Sequence, residues 1–342
     1  MKYLFALCFT FLATPLLSAN VFAVDHPVCD YRLEGPIEDG DATQVAPLSS
    51  TYDGVVLCLN SPGGSLIEGR KIFDVIWDGN IKTRVLAEER CESACALAFL
   101  GGSINTGTAN IRFQQRAIEP GARLGFHAPS LNLQSGGSYP AALVNNAFET
   151  ALTSAEQIFA INLHEEHGVI AMNNFLYQRI LTTRPESMYY ISTIGDAVMA
   201  NIEVVGAELP ETPALENLTA LCDNFWAANK QAARPDYTSA AQYFKEVRQG
   251  VYGTRNPKEI PEPDAFAAKV GDYYSSAKFW ENGCLVKVDH DFRNYSEAEA
   301  QLEIYEFQTG NETPEDLDYS ESFTVPVWHM LTPETQLTPL SP

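Results

Sequence analysis

Apolar positions along the chain fall into short unbroken runs separated by stretches of helical periodicity. Val55-Val56-Leu57-Cys58-Leu59 is a compact apolar run that stops at Asn60-Ser61-Pro62-Gly63-Gly64, which predicts a buried strand and a tight turn. Ser65 stands where a helix N-cap is wanted, and Leu66, Gly69, Ile72, Phe73, Ile76 and Trp77 recur behind it at helical spacing. Thr83 to Ala87 predicts a second strand. A polar corner at Glu88 to Glu92 leads into Ala94–Leu100, which is small and apolar throughout, as suits a helix buried on all sides, and Gly101-Gly102 ends it. Residues 103–121 read as a loop with a short strand at Ile111-Arg112-Phe113. Ala122 to Phe126 predicts a further strand that stops at His127-Ala128-Pro129.

Residues 130–138, rich in Ser, Gly and Asn, read as a mobile loop. Val144, Phe148, Ala151, Leu152, Ala155, Ile158, Phe159 and Leu163 then mark a long amphipathic helix, and another covers roughly 170–181. Strands alternating with helices imply parallel strands joined by crossover helices, an α/β architecture. The alternation lapses after about Ala207, and Leu209 to Pro213 reads as a linker. Residues 214–250 read as helical, with Leu218, Leu221, Phe225 and Trp226 on one face. Strand-like runs follow at Cys284–Val288 and Ala300–Phe307, a C-terminal α+β region over 214–331. The polar, proline-rich tail 332–342 reads as disordered.

The first residues bear on the compartment. Lys2 precedes an apolar stretch from Tyr3 to Leu17, and Val21-Phe22-Ala23 offers small residues where a signal peptidase cuts. The expected division is a signal peptide over 1–23, an α/β domain over 24–207 and the C-terminal region. No later run is long enough to span a membrane, so no stable insertion is expected once the signal is removed. A periplasmic or secreted location follows.

The formal charge is −22, from 22 basic and 44 acidic residues. Such a surface repels nucleic acid and anionic lipid, which excludes nucleic-acid binding as the expected function. Without Cys8, six cysteines remain: Cys29, Cys58, Cys91, Cys95, Cys222 and Cys284. An even set in an exported chain suggests disulfides, with the pairing left open. Cys29 with Cys58 would tie the N-terminus to an early strand, Cys91 with Cys95 would close a small loop, and Cys222 with Cys284 would staple the C-terminal part. The spacing matches no zinc pattern, and no cofactor or metal is expected.

Three segments carry candidate chemistry. The Gly63-Gly64 turn before a helix can bare backbone N–H groups to an anionic oxygen. In Cys91-Glu92-Ser93-Ala94-Cys95, a strand-to-helix corner would push the Ser93 hydroxyl outward, with the Ala94 N–H approachable beside it. In Leu124-Gly125-Phe126-His127-Ala128-Pro129, a strand end offers a rigid platform for an imidazole. Each alone has a plainer explanation: a turn, a helix cap, a structural histidine. Together they supply a nucleophile, its base and oxyanion donors.

In this order the three segments resemble the ClpP/crotonase superfamily, and within it the exported ClpP-like serine peptidases, over roughly residues 54–206. The resemblance implies a ClpP/crotonase-like core, Ser93 as nucleophile, His127 as base, and an oxyanion hole at Gly63, Gly64 and Ala94. It implies acyl transfer on a peptide or protein substrate. Homo-oligomer formation is left open, as is a catalytically inactive binding or scaffold protein on the same fold. The stretch between serine and histidine is longer than in ClpP, and the family's aspartate is not evident; Asn173, Asn174, Glu186 and Asp196 are the candidates for the third member. An asparagine can orient a histidine.

Other signals are weaker. His164 and His167 stand three apart at a helix end, not the four of zincins. Ser275-Ser276-Ala277-Lys278 lacks its partner motifs. Asp289, His290 and Asp291 are consecutive, and strand neighbours face opposite sides, so they cannot share a metal.

Overall fold

The structure is a computed structural model that describes residues 18–49, 54–106, 111–129, 137–211, 213–230, 258–262, 265–274, 280–289, 299–308 and 318–337. Strand β1 (Asn20–Ala23) runs antiparallel to β2 (Tyr31–Glu34). After the short helix α1 (Ala42–Val45), strand β3 (Val56–Asn60), helix α2 (Leu66–Asp78) and strand β4 (Lys82–Val85) form a crossover unit in which β2, β3 and β4 are parallel. Leu57, Cys58 and Leu59 are all fully buried, so β3 is covered on both faces. That is why it reads as an unbroken apolar run rather than an alternation. Ser65 caps α2 by accepting the Glu68 N–H at 3.3 Å, and α2 turns Ile72, Phe73, Ile76 and Trp77 into the core.

Strand β5 (Arg90–Glu92) feeds helix α3 (Ala94–Phe99), whose six residues are all buried as their composition predicts. A hairpin of β6 (Ser103–Asn105) and β7 (Arg112–Gln114) occupies the extra stretch before β8 (Arg116–Ile118) and β9 (Arg123–Phe126). Helix α4 (Ala141–Asn162), the small hairpin β10 (Glu165–Glu166) and β11 (Val169–Ile170), helix α5 (Asn174–Thr182), β12 (Tyr189–Tyr190), helix α6 (Ile194–Ala200) and β13 (Glu203–Val204) complete this part. The main sheet has the order β1-β2-β3-β4-β8-β13, parallel from β2 onward. A second sheet, β12-β9-β5, holds the parallel pair β5–β9. The chain is therefore mixed α/β with parallel strands. Helix α7 (Leu215–Lys230) follows, then β14 (Lys258–Glu262), β15 (Ala265–Tyr274), β16 (Trp280–Asp289), β17 (Glu299–Gln308) and β18 (Asp318–Pro326) in one antiparallel meander. Asn224 of α7 donates to the carbonyls of His329 and Leu331.

Asn20–Ala23, where the leader boundary is expected, pairs with β2, and Ala19 is buried. Two expectations change. The start of the tail is not frayed. Leu337 is buried, its N–H bonds the Ser192 carbonyl, and the carbonyls of Pro333 and Thr335 cap the start of α6. The apolar stripe of α4 faces outward, with Phe148 64% and Leu163 63% exposed, while only Ile158 and Ile161 are buried. Of the expected stripe only Ile158 is buried and Ala155 is half-buried, and Ser154 and Ile161 pack beside them, so the packed face is turned away from Phe148, Leu152 and Phe159.

Two cysteine pairs are bonded, Cys29–Cys58 and Cys91–Cys95, with Cα separations of 5.8 and 5.1 Å. The side chains of Cys222 and Cys284 lie outside the described residues, as do loop 130–136, most of the proposed helix beyond Lys230, the Ser275–Lys278 motif, and His290 with Asp291. Among the described residues no helix is long and apolar enough to cross a membrane.

Arg116 is the most unusual member of the core. It is 2% exposed, no carboxylate pairs with it among the described residues, and burial pushes its pKa down. Its guanidinium donates to the carbonyls of Leu100, Ala171 and Asn201, so it ties together the end of α3, the approach to α5 and the end of α6. Replacing it strands those carbonyls without donors. Arg116→Leu is expected to lower the unfolding free energy by about 3 kcal/mol in urea titrations.

Candidate active site

The end of β3 sets the site. Its extension through Ser61 pairs with β5: the Ser61 N–H bonds the Arg90 carbonyl at 2.7 Å, and the Glu92 N–H bonds the Ser61 carbonyl at 3.1 Å. This pairing lays the Gly63-Gly64 turn against the corner between β5 and α3. Both glycines have positive φ, 87° and 149°. A Cβ on Gly63 would fall 2.4 Å from the Glu92 carbonyl oxygen and 2.8 Å from the Ser93 Cβ, and one on Gly64 would fall 2.1 Å from the Ile37 carbonyl oxygen. Only glycine allows the two segments to approach this closely.

Ser93 sits at the corner with φ 57° and ψ −122°, outside the ordinary left-handed helical well. A serine held in so sparsely populated a conformation costs about 1–3 kcal/mol and marks a functional-site candidate. Its side chain caps nothing, which answers the helix-cap alternative. Instead the hydroxyl lies 2.8 Å from His127 Nε2 across 34 residues of sequence. Two bonds hold the corner in place: the Ser93 N–H donates to the Gly125 carbonyl at 2.9 Å, and the Ser93 carbonyl accepts from the Leu97 N–H at 3.2 Å. His127 follows the last residue of β9, and the Ala128 N–H is anchored on the Thr183 carbonyl at 2.9 Å. Both side chains are half-buried.

The expected oxyanion donors divide. The Gly63 N–H is already taken by the Ser61 hydroxyl at 3.1 Å, so Gly63 serves by its lack of a side chain rather than as a donor. The amides of Gly64 and Ala94 have no hydrogen-bond partner among the described residues, and both flank Ser93 at helix N-termini. A cleft of about 270 Å³ opens over the pair, between α2 and α4. Leu66, Ile67, Leu97, Phe126, Ile158 and Ile180 give it apolar walls, and Thr150 and Ser154 add two hydroxyls. His127 is its only ionisable lining residue among those described. A second cavity of about 250 Å³, beside Arg116 and Trp328, contains none of these groups.

None of the candidates for a third member reaches the imidazole. Asn173 caps α5, accepting from the Leu176 N–H and donating to the Met199 carbonyl. Asn174 accepts from Asn162. Glu186 is exposed near Arg184. Asp196 closes the capping box of α6 and accepts from the Tyr189, Ser192 and Thr193 hydroxyls. His127 Nδ1 is buried without a hydrogen-bond partner among the described residues. Tyr190 lies opposite Gly125 and Tyr189 opposite Phe126, and Met188 is the next residue beyond that pairing. Met188 is half-buried, and a Cβ on Gly125 would fall 2.6 Å from its Cγ. A thioether is only a weak acceptor.

Several supporting residues carried no local signal in the sequence. The carboxylate of Glu92, next to Ser93, accepts from the Tyr190 hydroxyl at 2.9 Å and from Arg123 at 2.8 Å. Arg123 in turn lies over the Tyr190 ring and donates to its hydroxyl. These contacts bind β5, β9 and β12 together directly behind the pair. The His164–His167 pair, by contrast, is structural. His164 stands edge-on to Phe73 and Trp77, with burial lowering its pKa, and His167 lies 3.3 Å from Glu166. Among the described residues no three or more His, Cys, Asp or Glu side chains are grouped so as to hold a metal ion.

Compared with known proteins, the chain matches no family model, and no curated protein is significantly similar to it.

Two substitutions test the geometry. Gly63→Ala should lower both the thermal midpoint and, by at least tenfold, the rate at which Ser93 reacts with a fluorophosphonate. Met188→Asp places a carboxylate on the strand face that carries the imidazole, where it can accept from Nδ1–H, and should raise that rate at least tenfold.

Proposed function

We propose that the protein is an exported serine hydrolase, a peptidase of the ClpP-like kind, working by acyl transfer through Ser93 and His127. The observation that carries this reading is the 2.8 Å contact between Oγ and Nε2 at a backbone corner with positive φ, flanked by two unpartnered amides. A cap or a structural histidine requires none of these features. Parallel crossover strands and the glycine turn beside the serine suit a ClpP/crotonase-like core. Two disulfides suit an oxidising compartment, periplasmic or extracellular.

The chemistry follows from the arrangement. Ser93 Oγ attacks a carbonyl carbon while its proton passes to His127 Nε2. The carbonyl oxygen becomes an oxyanion facing the Gly64 and Ala94 amides; losing one such donor costs about 3–4 kcal/mol of transition-state stabilisation. Collapse of the tetrahedral species expels the amine or alcohol, which takes the proton back from Nε2. Water then repeats the sequence on the acyl-enzyme. The uncharged walls of the cleft favour an apolar side chain on the acyl component.

A second reading, a catalytically silent binding or scaffold protein, is favoured by one observation: the unpartnered Nδ1 of His127. A fluorophosphonate probe separates the two. Wild-type protein should label at Ser93, Ser93→Ala should not label at all, and His127→Ala should label at least a hundredfold more slowly. A wild-type protein that stays unlabelled from pH 5 to pH 9 would establish the silent reading instead.

A further inference from the structure

The Cys91–Cys95 bond encircles Ser93: it joins the strand residue two before the nucleophile to the helix residue two after it. Both cysteines are fully buried. As a general staple it is poorly placed, because it closes a ring of five residues, whereas Cys29–Cys58 spans 29 positions of sequence. Constraint of the unfolded chain grows with loop length, so the longer bond is much the better stabiliser of the whole fold. The short ring sits instead around a residue held at positive φ and ψ −122°, outside the left-handed helical well. The other non-glycine residues with positive φ, such as Asn80, Glu88 and Asn201, lie at turns and helix ends away from the cleft.

Resting on the acyl-transfer reading, we infer that Cys91 and Cys95 are positioning residues for the nucleophile, and that their bond keeps the corner from relaxing. Released, Ser93 has a lower-energy alternative close by: helical φ and ψ would add it to the N-terminus of α3, since its carbonyl already accepts the Leu97 N–H. That change would swing Oγ away from His127 and turn the Ala94 amide into the helix. A displacement near 1 Å at a reacting atom costs on the order of 100-fold in rate. The Gly125 carbonyl and the Gly63 approach resist the relaxation non-covalently. The disulfide resists it covalently, from the core side, where it neither touches substrate nor occupies the cleft.

The test compares full-length wild type, C91A/C95A and C29A/C58A in fluorophosphonate inactivation, resolving the limiting rate from the apparent affinity, with thermal midpoints recorded in parallel. C91A/C95A is expected to lose at least 30-fold in limiting rate with apparent affinity changed less than threefold. C29A/C58A should lose as much or more in thermal midpoint with its limiting rate within threefold of wild type. A folded C91A/C95A that reacts at the wild-type rate overturns the proposal. So does a C29A/C58A that loses rate equally, because the effect would then be general destabilisation. If C91A/C95A does not fold, C95A cuts the bond while leaving Cys91 in the core, and the same limits apply. Failure of both to fold would make the bond a staple and overturn the proposal. A wild type that does not label defeats the acyl-transfer reading first, before any cysteine is changed.

Discussion

The backbone at Ser93 is the constraint on which the site depends. A serine at φ 57° cannot stay there unaided, and three neighbours determine that it does. β9 supplies the Gly125 carbonyl to its amide, α3 takes its carbonyl, and the side-chain-free Gly63 permits β3's turn to press against it. Each contact comes from a different strand or helix. The hydroxyl is therefore positioned by the way the two sheets meet rather than by any local motif. The same meeting exposes the Gly64 and Ala94 amides, because the segments that crowd Ser93 from one side leave the other side open to the cleft.

Electrostatics behind the corner reinforce it. Glu92 is buried next to the nucleophile, and an uncompensated carboxylate there would be costly. Arg123 and Tyr190 satisfy it from β9 and β12, which converts a liability into a bracket across the strands next to Ser93 and His127. Arg116 plays a similar part deeper in the core, tying backbone carbonyls from three elements with one cation. At both places charge organises the scaffold, while the cleft itself has apolar walls with His127 its only ionisable group among the described residues.

The sequence discloses what is local. Unbroken apolar runs gave β3 and α3, glycine and proline marked the ends of β3 and β9, Ser93 stood just before α3 and His127 just after β9. Long-range register was not legible. Nothing near Met188 shows that it packs against Gly125, two residues before His127, since that follows only from how β12 pairs with β9. The Ser61 hydroxyl competing for the Gly63 amide is equally invisible, because Ser61 reads as one more turn residue. For α4, periodicity found an apolar stripe but could not show that packing uses a different ridge. At the C-terminal end composition misled: Thr332–Leu337 looked loose and is held by α6 and its neighbours.

The five-residue ring around Ser93 has a consequence for biogenesis. A newly made chain in a thiol-rich cytoplasm would carry Cys91 and Cys95 reduced, with the corner held only by its non-covalent contacts to Gly125 and Gly63. Transfer to an oxidising environment would close it. On the acyl-transfer proposal, activity would be low while these thiols stay reduced and would rise when they are oxidised.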